Sequence, residues 1–216
     1  MDPISNYKFI NDKINSLAKK VTLIVVSKTF TMNIIKPLID FGHLHFGENK
    51  VQEASLKWTD TLVENKNLKL HMLGKIQSNK VDSIVKIFTY IHSLDSEKLA
   101  NKFSESENKI SKKLNYFIQV NIGDEAQKGG INSNLLPDFV KFCKIELKLN
   151  ILGLMCIPPA SSKPDFFFNK LKDLNESFDL KDLSMGMSDD FEIAIKLGST
   201  YVRVGSSIFG QRSSQF

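Results

Sequence analysis

A chain of 216 residues, 42% apolar and 10% aromatic, can bury one sizeable core, and no stretch of it approaches the ~18 consecutive apolar residues of a membrane-spanning helix. Its net charge of +5 comes from 29 basic residues interleaved with 24 acidic ones; the basic runs are pairs such as Lys19-Lys20 and Lys112-Lys113, which argues against a nucleic-acid partner and for solubility with some attraction for phosphorylated small molecules. The N-terminal MDPISNYKFINDK has no apolar run behind a basic start, so no secretory leader is expected and the chain reads as cytoplasmic.

In chain order, an amphipathic segment at 3–19 leads into the β-branched run TLIVVS (22–27). Further candidate strands follow at 43–47, 69–74, 87–94, 115–122, 149–157, 183–187 and 201–206. Helical periodicity fills the intervals at about 31–41, 48–64, 77–86, 96–112, 132–146, 164–177 and 189–197. Several strands are almost continuously apolar, as parallel strands covered on both faces are. Strand–helix alternation over eight units predicts an α/β fold, a single-domain (β/α)8 barrel spanning 1–216 with an extra N-terminal helix. An open doubly wound sheet is the alternative. Cys143 and Cys156 lack metal-ligand spacing and are expected as reduced core thiols.

In such a barrel the chemistry sits at the C-terminal ends of the strands. Here those ends carry Ser27-Lys28-Thr29, Gly47-Glu48-Asn49, Gly186-Met187-Ser188 and Arg203-Val204-Gly205-Ser206. Closure of the barrel brings Lys28 to face Arg203 and the Gly205-Ser206 turn. Ser188, placed to cap a helix from Asp189, and Gly205 with Ser206 compose a phosphate cradle after the last two strands. Only two of the 29 basic residues are arginine, Arg203 and Arg212, which suggests a guanidinium is specifically required there. The spacing leaves two readings of Lys28: a strand-end lysine paired to an acid, or an amine desolvated beside another cation and available to carbonyls.

VSKT (26–29), FGENKVQE (46–53), HMLGKIQSNK (71–80), VNIGDEAQKGGI (120–131), GLMCIPP (153–159) and LSMGMSDDFEIAIKLGSTYVRVGSSIFGQR (183–212) are similar to the pyridoxal phosphate homeostasis protein family, relatives of the N-terminal barrel of alanine racemase. The resemblance implies that Lys28 holds pyridoxal 5'-phosphate as a Schiff base. It also implies that Ser188, Gly205 and Ser206 hold the phosphate, that Arg203 approaches the pyridine nitrogen, and that Asn49 lies near the polar edge of the ring. Ser206 stands where the family has threonine, keeping the hydroxyl and losing a methyl contact. Leu70 replaces an aromatic residue before His71.

The implied function is intracellular buffering or delivery of the cofactor to apo pyridoxal enzymes without dedicated catalysis; with no long exposed apolar surface evident in the sequence, a monomer is expected. The enzymatic alternative is an amino-acid racemase of low efficiency. An arginine can only donate, so opposite the ring nitrogen it requires an unprotonated nitrogen, a poor electron sink. In alanine racemase relatives a tyrosine on an additional domain supplies the second acid/base group, and no such domain is expected in this sequence. A Schiff-base aldolase acting on a phosphosugar is a further alternative from the barrel alone. His43 and His45 share one strand face but have no third ligand at useful spacing, so no metal is expected. Lys128, beside Gly129 and Gly130, is placed on the same barrel face as a candidate second amine.

Overall fold

The computed structural model describes residues 2–125, 128–160 and 163–210. Helix α1 (Pro3–Leu17) starts at Asp2, whose carboxylate accepts from the Ile4 amide at 2.9 Å and the Ser5 amide at 3.1 Å. It lays Tyr7, Ile10 and Ile14 along one buried face. Strands β1 (Thr22–Val26), β2 (His45–Glu48), β3 (Lys69–Met72), β4 (Tyr90–Leu94), β5 (Asn115–Gln119), β6 (Asn150–Met155), β7 (Asp182–Ser184) and β8 (Tyr201–Val204) pair in parallel in chain order. β8 returns to β1, with Ile24 opposite Arg203, and closes the barrel. Helices α2 (Met32–Asp40), α3 (Val51–Glu64), α4 (Val81–Ile87), α5 (Glu97–Ile110), α6 (Leu136–Lys141), α7 (Pro164–Ser177) and α8 (Phe191–Lys196) alternate with the strands, and a short α9 (Ser206–Phe209) follows β8. The (β/α)8 barrel with an extra N-terminal helix is therefore the observed architecture, and the open sheet is not.

Several boundaries differ from the sequence expectation for identifiable reasons. β2 begins only at His45 because the His43 N–H is spent on the Leu38 carbonyl of α2 at 3.0 Å, while its ring bonds to the Tyr7 hydroxyl at 3.1 Å and to the His45 carbonyl at 2.8 Å. Burial lowers the His43 pKa to about 4 and so keeps the ring neutral. α4 runs on to Ile87, which shortens β4. The expected helix at 132–146 divides into a 3-10 turn at Ser133–Leu135, α6, and a π turn at Phe142–Glu146 closed by Leu147 N–H donating to the Phe142 carbonyl at 3.0 Å. α9 was not anticipated.

The strands divide two cores. Outward-facing Leu23, Val25, Phe46, Leu70 and Met72 pack against the helices together with Trp58, Ile35 and Phe103. The inward-facing set is different. Barrel interiors are commonly filled by layers of branched aliphatic side chains, whereas this one holds His71, His92, Phe117, Ser184 and Arg203, all buried, with Tyr90 and Tyr201 partly so. The rings stack: His71 lies on Tyr90 with centroids 4.3 Å apart, and His92 on Phe117 at 4.5 Å. Both cysteines are buried free thiols, each pushed up to about 12 chiefly by burial. Among the described residues no helix is long and apolar enough to cross a membrane.

Candidate functional site

A cavity of about 270 Å³ opens where β1, β2, β7 and β8 end. Lys28, Asn49, Ser188, Arg203, Gly205 and Ser206, which sequence reasoning singled out from four separated stretches, all line it. Val26, Leu73, Met155 and Ile157 supply its apolar wall.

Lys28 sits in the turn beyond β1, half-buried, between two anchored neighbours. Before it, buried Ser27 donates its hydroxyl to Glu48 Oε1 at 2.7 Å. After it, Thr29 has φ +70°, a left-handed conformation that costs a β-branched residue energy, and its N–H donates to Glu53 Oε1 at 2.6 Å. Lys57, 8% exposed, joins the two halves of this clamp. Its Nζ lies 2.8 Å from Glu48 Oε1 and 3.1 Å from Glu53 Oε1, and it donates to the Ser27 and Phe30 carbonyls at 2.9 and 3.1 Å. Trp58 Nε1–H adds a further donor to Glu48 Oε1 at 2.9 Å. The strained turn that presents Lys28 is thus held by an ion-pair network that joins Glu48 at the end of β2 to Glu53 and Lys57 on α3.

Arg203 projects from β8 and is 5% exposed. Its Nη1 donates to the Ser184 carbonyl at 2.8 Å and to the Ser184 hydroxyl at 2.7 Å, and Nη2 donates to the Cys156 carbonyl at 3.0 Å. The hydrogen bonds of the described residues engage Nη1 and Nη2 and leave the Nε–H without a protein partner, and Arg203 is among the residues that line the cavity. Burial pushes this guanidinium's pKa down from its ordinary value, opposed by the Cys156 and Asp190 side chains.

The cradle differs in one respect from expectation. Ser188 does not cap a helix: α8 begins at Phe191 with Asp190 at the cap position, and the Asp190 carboxylate takes the Met187 amide at 2.6 Å. The Ser188 hydroxyl instead accepts from the Ser206 hydroxyl at 2.9 Å, so the two serines meet across the β7 and β8 ends. Gly186 lies in the loop that leads to Ser188. Its φ is +92°, and a Cβ there would lie 2.6 Å from the Ala194 side chain. Gly205 packs close to β1, where an added Cβ would stand 3.1 Å from the Val26 carbonyl.

Lys128 lies apart from this cavity's lining. It pairs with Glu125 at 2.6 Å and donates to the Pro158 carbonyl at 3.1 Å, tying the loop after β5 to the loop after β6. Residues 126 and 127 of that loop and Arg212 fall outside the described residues. His43 and His45 do not converge on a common point; both are spent on hydrogen bonds within the fold. Sequence reasoning missed the Glu48, Glu53 and Lys57 clamp, although Lys57 borders the Val51, Ala54 and Trp58 stripe that α3 buries, which was the available signal. It also missed Ser184 and Cys156 as the acceptors that hold Arg203.

The donor set fits a phosphorylated pyridine aldehyde: an amine for the aldehyde, paired hydroxyls for the phosphate and an unengaged guanidinium N–H for a ring nitrogen. The family profile of the alanine racemase N-terminal domain matches residues 5–213. The pyridoxal phosphate homeostasis protein of Aquifex aeolicus is 35% identical over 199 residues, covering 88% of this chain and 86% of that protein. The one from Escherichia coli K12 is 33% identical over 228 residues, covering 98% and 97%. PipY of Synechococcus elongatus PCC7942, solved with PLP bound, superposes with a TM-score of 0.82 at 31% identity over 93% of this chain and 100% of that one. The alanine racemase of Clostridium difficile 630 shares the fold at a TM-score of 0.73 and 14% identity, covering 98% of this chain and 58% of the enzyme. On sequence, coverage and fold together, the chain belongs to the pyridoxal phosphate homeostasis protein family, within the alanine racemase N-terminal domain group.

Proposed function

We propose that this protein binds pyridoxal 5'-phosphate at the barrel mouth and holds it for buffering or delivery inside the cell, acting as a monomer without dedicated catalysis. The observation that carries the reading is the convergence of Lys28, Arg203, Ser188 and Ser206 on one small cavity. Lys28 Nζ condenses with an aldehyde carbon to form a Schiff base, and one water leaves. Ser188 and Ser206 offer hydroxyls to phosphate oxygens, Gly205 keeps the backbone close to them, and Asn49 bounds the polar edge of the cavity. The bound cofactor supplies an aldehyde that exchanges between amines. Arg203, donating only, favours an unprotonated ring nitrogen and so restrains carbanion chemistry. Racemisation needs an acid/base group on each face of the reacting carbon, one to remove the proton and one to return it, and among the described residues no tyrosine or histidine lines the cavity. Relatives named for pyridoxal phosphate homeostasis, and PipY with PLP bound, support the same reading.

Titrating the cofactor-free protein with pyridoxal phosphate is expected to develop a yellow chromophore that saturates at one per chain. The loaded protein is expected to pass its cofactor to an apo pyridoxal enzyme and to leave single-enantiomer amino acids unracemised under steady-state assay. Sustained racemisation would move the reading to an enzyme.

A further inference from the structure

Arg203 is a buried cation whose hydrogen-bond partners among the described residues are all neutral. Its acceptors are the Ser184 carbonyl and hydroxyl and the Cys156 carbonyl; Asp190 acts on it only from beyond ion-pairing distance. A buried charge without a carboxylate partner needs other compensation. From Ser184 a continuous line of hydrogen bonds runs down the barrel interior. Ser184 Oγ lies 2.8 Å from His92 Nδ1, His92 Nε2 lies 2.9 Å from His71 Nδ1, and His71 Nε2 lies 3.0 Å from His45 Nδ1. This line uses three of the chain's four histidines and ends at His45, the first residue of β2.

We propose that Ser184, His92, His71 and His45 are positioning residues for Arg203: a column of neutral imidazoles, each carrying its proton on Nε2, whose aligned dipoles compensate the guanidinium and leave its Nε–H to the cavity. The polarity follows from the arginine. Arg203 can only donate, so the Ser184 oxygen accepts from it. The hydroxyl hydrogen then has His92 Nδ1 as its acceptor, which places the His92 proton on Nε2, aimed at His71 Nδ1. His71 in turn donates from Nε2 to His45 Nδ1. In the opposite polarity Ser184 would accept from both sides, with no acceptor among its described contacts for its own hydrogen. In the proposed one every ring turns its lone-pair nitrogen toward Arg203 and its N–H away, so the dipoles add and each bond polarises the next.

Burial holds the rings neutral. The His71 and His92 pKa values are pushed well below the ordinary histidine value by desolvation, with the neighbouring histidines adding at His71 and Arg203 at His92. His45 is lowered by burial and by Lys69. Stacking on Tyr90 and Phe117 fixes the ring planes. The column's polarity is independent of any ligand, whereas its use rests on the reading of Arg203 as the group that meets the cofactor ring.

The test is nitrogen-15 spectroscopy of the full chain labelled at histidine, without cofactor, followed by pyridoxal phosphate titration. At neutral pH the parent protein is expected to give the neutral, Nε2-protonated signature for His45, His71 and His92. Ser184→Ala, which removes one hydroxyl, is expected to mix the tautomers of His92 and, through it, His71, and to weaken pyridoxal phosphate binding about tenfold, the effect of losing one charge-assisted hydrogen bond. Ser184→Thr, which keeps the hydroxyl, restores both. A charged or Nδ1-protonated ring at any of the three positions in the parent overturns the column and requires no variant to fold. Unchanged tautomers and affinity in folded Ser184→Ala overturn it as well. If the rings match but the parent binds no pyridoxal phosphate, the column stands and the cofactor reading fails.

Discussion

Lys57→Met is expected to destabilise the protein by about 3–5 kcal/mol, the cost of removing one partner of a buried ion pair. Lys57 is 8% exposed and Glu48 is fully buried, so the variant leaves a carboxylate in the core with only the Ser27 hydroxyl and Trp58 indole as donors to Oε1. Among the described residues Glu48 Oε2 already has no hydrogen-bond partner, so the remaining charge has little else to draw on. The substitution also frees the Ser27 and Phe30 carbonyls that flank Lys28 and releases Glu53, which holds the Thr29 amide. The turn should loosen, and cofactor binding should weaken with it. Urea unfolding of parent and variant measures the loss, and adding Glu48→Gln should recover most of it by removing the stranded charge. A loss below about 1 kcal/mol, as for an exposed pair, would show that solvent reaches Glu48 and that the clamp does not hold the turn.

Lys28→Ala is expected to behave in the opposite way, with a fold changed by about 1 kcal/mol or less and a site that no longer attaches its ligand. Lys28 lies half-buried in a turn beyond the end of β1, and the backbone around it is fixed by Ser27, Thr29 and their partners on β2 and α3 rather than by its own side chain. Arg203, Ser188 and Ser206 remain in the variant, so residual non-covalent binding should persist at more than about tenfold lower affinity, without the yellow chromophore. Thermal unfolding together with absorption after pyridoxal phosphate addition reads both parts. A variant that keeps a chromophore of parental intensity would assign the attachment to another lysine.

The parts of this account that were legible in the sequence are those governed by short-range periodicity and by the barrel's closure rule. α7 was expected at 164–177 and spans Pro164–Ser177, because proline at its start and an amphipathic repeat fix both ends locally. Lys28 and Arg203 could be brought together before any coordinates because an eighth parallel strand must lie beside the first. Other features were hidden because they depend on which face a polar residue turns to. Lys57 reads as a solvated helix lysine until the Glu48 carboxylate is placed beneath it. His71 and His92 each occupy the third position of a strand, and alternation points both inward, yet only closure stacks them into one line with Ser184. Ser188 was misread as a helix cap because Ser-Asp-Asp offers three capping side chains in a row, and Asp190, not Ser188, reaches back to the Met187 amide.

The central claim is that Lys28 holds pyridoxal phosphate at the barrel mouth, and borohydride reduction of the loaded protein followed by peptide mapping tests it most directly. Reduction converts a Schiff base to a stable secondary amine and fixes the cofactor mass to whichever lysine carries it. Bleaching of the yellow band is expected, with a single modified peptide containing Val-Ser-Lys-Thr-Phe, residues 26–30, and the added mass on Lys28. Modification spread over surface lysines, or confined to a peptide without Lys28, would contradict it.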